Sequence, residues 1–151
     1  MFRNVAELVE LAEKDHISIS DVMIKQEMEV TERSFTEIFD QMDRNLTVME
    51  EAIERGINEK ITSVSGLTGG DAVLLQTYIK SGNSLAGEFL LDAVSKAIAT
   101  NEVNAAMGTI CATPTAGSAG VVPGTLFAIK TKLNPSREKM VRYLFTSGAF
   151  G

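Results

Sequence analysis

An apolar seam over residues 32–55 constrains the fold more than any other feature of the sequence. Its members alternate spacings of four and three: Phe35, Phe39, Met42, Leu46, Met49 and Ile53, with Ile38 beside them. This spacing puts them on one face of an α-helix, which must be buried against other helices. We predict that Thr31 caps this helix and that Gly56 ends it. A seam under three heptads favours packing within the chain, with a partner's helix as the alternative.

Capping signals and apolar spacings predict further helices around this seam. Asn4 with Glu7 and Ser18 with Asp21 have capping-box spacing, and the first of these helices should end near His16. His16, the sole histidine, would then be a helix-end cation and not a base. Four more helices are expected: residues 71–80, residues 86–100, residues 121–129 with Pro123 in the first turn, and one capped by Ser136, with a turn at residues 81–84. The predicted fold is therefore all-α, with helices packed around glycine-rich loops.

The helix predicted over residues 86–100 carries little charge. A helix of this composition should be buried on most sides. The side chains expected to face inward are Phe89, Leu90, Ala93, Val94, Ala97 and Ile98.

Charge is divided unevenly along the 151 residues. Residues 1–60 carry seven Lys or Arg against fifteen Asp or Glu, a net charge of −8, whereas residues 61–151 carry seven against five, a net charge of +2. An acidic chain without a basic stripe argues against nucleic-acid binding. No apolar run is long enough to cross a membrane, and a single cysteine cannot form an internal disulfide, so we expect a cytoplasmic protein. The length predicts one domain over residues 1–151, with an acidic helical part at 1–56 and a glycine-rich part at 57–151.

Residues 65–71, SGLTGGD, read as a glycine-rich turn entering the helix at 71–80. Backbone N–H groups at a helix N-terminus, together with two hydroxyls, suit an anion such as a carboxylate. The candidate binding residues are Ser65, Thr68, Gly69 and Gly70. A phosphate loop is excluded because its Gly-Lys-Ser/Thr ending is absent. A plain loop with Asp71 as the helix cap is the alternative.

A second candidate site lies in residues 101–124, NEVNAAMGTICATPTAGSAGVVPG, which hold the only cysteine and two of the three prolines. Pro114 favours an extended segment before it. After it comes a turn with three hydroxyls and then a helix N-terminus, an arrangement that suits a small substrate carrying a carboxylate. The two asparagines ahead of the turn need polar partners, which backbone capping or a ligand could supply. The candidate binding residues are Asn101, Asn104, Thr113, Thr115, Gly117 and Ser118.

This second stretch lacks the parts of a hydrolase. The G-x-S-x-G elbow is absent, and no histidine lies nearby in sequence to act as a base. Cys111, between Ile110 and Ala112, is interpreted as a buried small hydrophobe in preference to a metal ligand or nucleophile. One cysteine cannot hold an iron–sulfur cluster by itself.

Four stretches carry a resemblance to a known family: SISDVMIKQEMEVTE, SGLTGGDA, DAVSKAIATNEVNAAMGTICATPTAGSAGVVPGTLF and LFTSGAFG. Together they resemble the alpha chain of the bacterial iron–sulfur-dependent L-serine dehydratases of the two-chain type, over essentially all 151 residues. The resemblance implies that the sequence is the N-terminal half of that chain, belongs to a larger helical catalytic domain and is inactive alone.

The resemblance also implies an activity, a cofactor and partners. The family converts L-serine into pyruvate and ammonia, using a [4Fe–4S] cluster whose open iron acts as a Lewis acid on the serine hydroxyl. Its cluster cysteines would lie beyond this sequence, and Cys111 matches none of them clearly. The implied partners are L-serine and a beta chain, and a homo-oligomer is compatible with the pattern. Both candidate loops would then bind the amino and carboxylate groups of serine.

Two other classes of function stay open on the residues alone. A helical module, complete as it stands, could bind a small carboxylate without catalysis. A structural or interaction protein could instead use the seam at residues 35–53 to bind a partner helix.

Overall fold

The computed structural model describes residues 2–82 and 84–150; Asn83, in the predicted turn at 81–84, lies outside these ranges, as do Met1 and Gly151. Within them the protein has seven α-helices and no β-strand, which confirms the all-α prediction. The helices are α1 (Val5–Asp15), α2 (Ile19–Thr31), α3 (Phe35–Asn58), α4 (Asp71–Lys80), α5 (Glu88–Ala105), α6 (Ser118–Leu133) and α7 (Arg137–Gly148). None of these helices combines the length and the apolar character needed to cross a membrane.

The chain divides into two compact units. The first contains residues up to 46 and from 136 onward, and the second contains residues 47–135. The division falls within α3, which is one continuous helix. The sequence predicted one domain with an acidic helical part at 1–56 and a glycine-rich part at 57–151. This division stays a prediction.

In the first unit, α2 packs against α7. Four apolar side chains of α7 are buried: Met140, Val141, Leu144 and Phe145. Phe39 of α3 stacks on Phe35 with 5.4 Å between the ring centroids, and its ring lies 6.3 Å from that of Phe145. Arg142 of α7 donates a hydrogen bond of 2.6 Å to Asp21 of α2. Apolar burial and this ion pair together hold the two ends of the chain in one unit.

The predicted N-caps of α1, α2 and α7 are confirmed. Asn4, Ser18 and Ser136 each accept a hydrogen bond from the backbone N–H three residues later. His16 directly follows α1 in the left-handed conformation, with φ of 51°, so its predicted place at a helix end is confirmed as well. These signals are reliable because a cap depends on residues within one turn of it.

Both predicted boundaries of α3 are wrong. Thr31 is the last residue of α2, and Ser34 and Glu37 exchange the capping hydrogen bonds ahead of α3. Gly56 lies inside α3, where a Cβ would stand 2.6 Å from the Cβ of Ala99 on α5. The glycine therefore serves the close approach of α3 and α5 and not the end of a helix.

The apolar seam of α3 is buried within the chain at Leu46, Met49 and Ile53, and Ile38 beside it is buried as well. Ile38 and Leu46 belong to the first unit, and Met49 and Ile53 belong to the second. Phe35, at the start of the seam, is 43% exposed. The seam thus packs mainly against the chain's own helices, as its short length indicated.

In the second unit, two glycines bring α6 close to α5. A Cβ on Gly120 would stand 2.8 Å from the backbone oxygen of Ala97, and one on Gly124 would stand 2.7 Å from that of Ala93. Their spacing of four residues puts both glycines on one face of α6. This contact fixes the start of α6 relative to the end of α5, where the candidate residues lie.

Helix α6 begins earlier than predicted, at Ser118, so Pro123 lies in the helix interior and not in its first turn. Proline lacks the N–H for one helical hydrogen bond and normally disfavours this position. The Pro123 ring is almost completely buried, and this burial offsets the lost bond.

The inward face predicted for α5 is wrong at three of its six positions, whereas Ala93, Ala97 and Ile98 are half-buried. Phe89, Leu90 and Val94 are exposed by 44%, 56% and 40%. The buried residues of this helix are Ser95, Lys96, Ala99, Thr100, Glu102 and Val103.

Polar side chains can be buried on α5 because they find partners on other helices. Lys96 Nζ donates to Thr131 Oγ1 of α6 at 2.7 Å and to the backbone oxygen of Phe127 on the same helix at 3.1 Å. The Ser95 hydroxyl donates to the backbone oxygen of Ala72 on α4 at 3.2 Å. Such partners lie far away in sequence, so the apolar pattern of α5 could not reveal them.

Candidate functional site

Three hydroxyl groups meet at the N-terminus of α6, as the sequence predicted. The hydroxyls of Thr113 and Ser118 lie 2.7 Å apart, and Thr115 Oγ1 donates to Ser118 Oγ at 3.0 Å. The backbone N–H of Thr115 also donates to Ser118 Oγ at 3.0 Å. Gly117 sits between them with φ of −66°, an ordinary helical value. We call Thr113, Thr115 and Ser118 the hydroxyl cluster.

The first turn of α6 uses its backbone N–H groups within the chain. Ser118 N donates to Thr115 Oγ1 at 3.1 Å, Ala119 N to the backbone oxygen of Thr115 at 3.2 Å, and Gly120 N to that of Gly117 at 3.2 Å. What this end of the helix offers a ligand is therefore its hydroxyl groups, of which Thr115 is exposed. A hydroxyl can both donate and accept, so the cluster suits a small polar group.

The segment ahead of the cluster is anchored by apolar packing. Ala106 and Ile110 lie against a buried cluster of Ala52, Ile61 and Val103. The chain leaves α5 with Met107 in the left-handed conformation (φ 60°) and Gly108 N donating to the oxygen of Val103 at 2.8 Å. This tight exit holds the hydroxyl cluster near the last turns of α5.

Asn101 and Asn104 both lie in the last turns of α5, and both are exposed. The Asn101 side chain packs against Gly120 of α6, where an added Cβ would stand 3.0 Å from Nδ2 and 3.1 Å from Oδ1. The backbone oxygen of Asn104 accepts from Met107 N at 3.0 Å. Asn101 therefore lies near the hydroxyl cluster, next to the first turn of α6.

The glycine-rich turn is organised by its own hydroxyls and backbone. Ser65 Oγ lies 3.0 Å from Ser63 Oγ, and the backbone oxygen of Thr68 accepts from Ser63 N at 2.9 Å. Gly69 has φ of 131° and Gly70 has φ of 85°. A Cβ on Gly69 would also collide with the backbone oxygen of Ile61. Glycine is therefore required at residue 69 for both conformation and space.

The N-terminus of α4, which the sequence assigned to an incoming anion, is met by a carboxylate of the chain itself. Glu102 of α5 accepts a hydrogen bond from Asp71 N at 2.7 Å, and the Glu102 side chain is only 8% exposed. Sequence reasoning missed this residue although it had singled out Asn101 and Asn104 on either side. The signal in the sequence that could have identified Glu102 was a single acidic residue near the end of a helix that carries little charge.

The two predicted loops both attach to the last turns of α5. Val64 N of the glycine-rich turn donates to the backbone oxygen of Ala105 at 3.0 Å, while Asn101 packs against α6. In the described part of the chain, no hydrogen bond joins Ser65 or Thr68 directly to the hydroxyl cluster. The end of α5 is thus the element that both loops share.

Cys111 is half-buried, and burial raises the pKa of its thiol. Its nearest recorded polar contact is the backbone oxygen of Ala112 at 3.7 Å. Among residues 2–82 and 84–150, no group of three or more His, Cys, Asp or Glu side chains is arranged to hold a metal ion. A protonated thiol without such neighbours does not fit the thiolate ligand set of an iron–sulfur cluster.

A cavity of about 770 Å³ lies elsewhere in the second unit, at the start of α5. Its lining includes Phe89, Leu90, Ile79 and Ala128, and it contains none of the residues predicted to bind substrate. Phe89 and Leu90 of α5 therefore face this cavity and not the hydroxyl cluster.

Comparison with known proteins gives one family. The sequence profile described as "Serine dehydratase alpha chain" matches residues 14–151. The "Probable L-serine dehydratase, alpha chain" of Bacillus subtilis (strain 168) is 71% identical over 151 residues, which cover all of this chain and 50% of that protein. The "L-serine dehydratase, alpha chain" of Peptoniphilus asaccharolyticus is 30% identical, over all of this chain and 52% of that protein.

A more distant relative has a different overall length. The "L-serine dehydratase TdcG" of Escherichia coli (strain K12) is 29% identical over 160 residues, covering 99% of this chain and 34% of that protein. The chain thus spans about half the length of the two alpha-chain relatives. No solved structure matches it.

Proposed function

Because the chain belongs to the family of serine dehydratase alpha chains, we propose that it supplies the substrate-binding loops of an enzyme that converts L-serine into pyruvate and ammonia. The observation that carries this proposal is the hydroxyl cluster at the start of α6, within the region that matches the family profile. In this assignment the hydroxyl cluster and Asn101 bind the polar groups of serine together with the glycine-rich turn, which is attached to the same end of α5. The protein would act in the cytoplasm with a partner chain.

The residues of this chain would position the substrate. Thr115 is exposed and can turn its hydroxyl toward a ligand, while Ser118 holds the turn through three hydrogen bonds from or to Thr115. Placing a reacting group correctly can lower a barrier by several kcal/mol. The role proposed for this chain is therefore binding and orientation.

The iron–sulfur cluster that the resemblance implies does not fit the described residues, since Cys111 stands without further metal ligands around it. We propose that any such cluster takes its ligands from elsewhere in the assembled enzyme. When bound, it would supply Lewis-acid chemistry at the serine hydroxyl.

Substitutions in the two loops test the proposed function in the full-length, two-chain enzyme. Thr115→Val and Ser65→Ala should each raise the KM for L-serine tenfold or more, which is about 1.4 kcal/mol of binding free energy. Steady-state kinetics with L-serine measure this effect. Thr77→Val is the matched control, because this exposed threonine of α4 donates only to the backbone oxygen of Val73. Unchanged kinetics in both loop variants would remove the assignment.

A further inference from the structure

Glu102 is a buried carboxylate that joins α5 to the start of α4. Its Oε1 accepts from Asp71 N at 2.7 Å, and the residue is 8% exposed. Three residues further along α5, the backbone oxygen of Ala105 accepts from Val64 N at 3.0 Å. The carboxylate therefore lies beside the glycine-rich turn, which is fastened to the same helix.

The second oxygen of this carboxylate takes no part in the link to α4. Oε2 of Glu102 is buried and has no hydrogen-bond partner among the described residues. An ionised carboxylate has room for about four hydrogen bonds, and leaving a buried oxygen unsatisfied is unfavourable. Buried acidic groups are normally paired or fully hydrogen-bonded. The remaining oxygen thus marks a place where a donor group is needed.

The charge at this place determines what kind of donor fits. Helix α4 has ten residues, and the positive end of its dipole already faces Oε1 of Glu102. A second anion beside the carboxylate would be repelled, whereas a cationic N–H donor forms a strong, charge-assisted hydrogen bond. The sequence alone predicted that an anion binds here. Because Glu102 brings a negative charge to the same place, the expected ligand is a cation instead.

We propose that Glu102 Oε2 binds the α-ammonium group of the amino-acid substrate. This inference rests on the proposed function, and it adds a recognition residue that discriminates an amino acid from a simple hydroxy acid. The ligand reaches Oε2 when the glycine-rich turn moves away from α5. Such movement breaks the hydrogen bond from Val64 N to the backbone oxygen of Ala105.

The test uses Glu102→Gln in the full-length, two-chain enzyme. The amide oxygen can still accept from Asp71 N, so the link to α4 is kept, while an amide NH₂ replaces Oε2 and cannot accept from an ammonium group. Two ligands are compared: L-serine, through its KM, and 3-hydroxypropionate, through its inhibition constant against L-serine. The second compound keeps the hydroxyl and carboxylate of serine and lacks only the ammonium group.

We expect the variant to raise the KM for L-serine at least tenfold, to leave inhibition by 3-hydroxypropionate within twofold of wild type, and to unfold within about two degrees of wild type. If 3-hydroxypropionate does not inhibit the wild-type enzyme, the KM and the unfolding temperature decide the test. A raised KM for L-serine with an unchanged unfolding temperature then agrees with the proposal, whether the variant is inhibited weakly or not at all. Glu88→Gln, an exposed glutamate of the same helix, is the control and should change none of these values.

Three results would overturn the inference. An unchanged KM in Glu102→Gln means that Oε2 does not contact the substrate. Equal weakening of both ligands, or a large fall in the unfolding temperature, means that Glu102 is a structural link only. A wild-type enzyme that does not act on L-serine would instead refute the proposed function itself, so the two failures are distinct.

Discussion

Asp21 shows how one carboxylate can serve both the start of a helix and the contact between two helices. Its side chain accepts a hydrogen bond from the Ser18 hydroxyl at 2.6 Å and from Arg142 of α7 at 2.6 Å. The bond from Ser18, followed by that from Arg142, lowers the pKa of Asp21. The same pairing, with Asp21 as the larger cause and Glu138 as the next, raises the pKa of Arg142. The ionised form of Asp21 is therefore the one that the folded state favours.

We predict that Asp21→Asn lowers the free energy of unfolding by about 1 kcal/mol at pH 7, a modest value because the ion pair is partly exposed. The folded-state pKa lies below the unfolded value of roughly 3.9, so this stabilisation is complete above that value. It is lost as the pH falls through the folded-state pKa. Urea unfolding of wild type and variant at pH 7 and near pH 3 measures the change.

The control for this prediction is Asp40→Asn, which removes an exposed carboxylate from α3. It should have little effect at either pH. If the difference between wild type and Asp21→Asn stayed the same near pH 3, the linkage between ionisation and folding would be wrong.

At the scale of elements, the packing of α5 and α6 is set by residues that lack a side chain. Gly120 and Gly124 place the α6 backbone against Ala97 and Ala93 of α5, and Gly56 does the same for α3 against Ala99. Three alanines of α5 thus lie against glycines of two other helices, α3 and α6. The predicted binding residues at the end of α5 depend on this arrangement for their positions.

We predict that Gly124→Ala lowers the free energy of unfolding by about 1–3 kcal/mol, since the added methyl group meets the Ala93 backbone oxygen at 2.7 Å. Gly148→Ala on α7 has open space around the new methyl group and should be neutral or stabilising by up to about 1 kcal/mol. Chemical denaturation of both variants gives the comparison. Equal effects would show that helix propensity, and not the close contact, decides the result.

The starts of α1, α2 and α7 could be predicted because they depend on neighbours in sequence. Asn4, Ser18 and Ser136 cap their helices through bonds that span three residues. The buried face of α5 could not be predicted in this way. Lys96 is buried because Thr131 lies on α6, thirty-five residues later in the chain.

In the candidate site too, contacts between sequence neighbours could be predicted and contacts between distant residues could not. Thr113, Thr115 and Ser118 lie within six residues, so their meeting followed from the turn sequence. Glu102 reaches Asp71 across thirty-one residues, and its polar role was invisible in the helical pattern. Whether the two loops bind one serine molecule stays a prediction.

At the scale of the whole molecule, one compact unit is built from both ends of the sequence and the other from its middle. Val141 of α7 is fully buried in the first unit, and α7 packs against α2. A substitution that destabilises α7 should therefore destabilise α2 as well, although more than one hundred residues separate the two helices in sequence.

We predict that Val141→Asp strongly speeds hydrogen exchange of the α2 amides and changes exchange in α5 and α6 much less. A buried, unpaired carboxylate costs several kcal/mol, and the cost falls on the unit that contains it. Hydrogen-exchange mass spectrometry of the full-length protein resolves these helices separately. Lys139→Asp, at an exposed position of α7, is the control. Uniform exchange in all helices would show that the chain opens as a single cooperative body.

The pairing of α2 with α7 has a consequence for the order of events during synthesis. A ribosome that adds roughly 5–20 residues per second takes roughly 5–20 s to make the hundred or so residues between these helices. For that interval the nascent α2 has no α7 to pack against, and Asp21 has no Arg142 to pair with. The middle of the chain can acquire its structure first, and the beginning must wait, exposed to chaperones and proteases, for a helix that has yet to be translated.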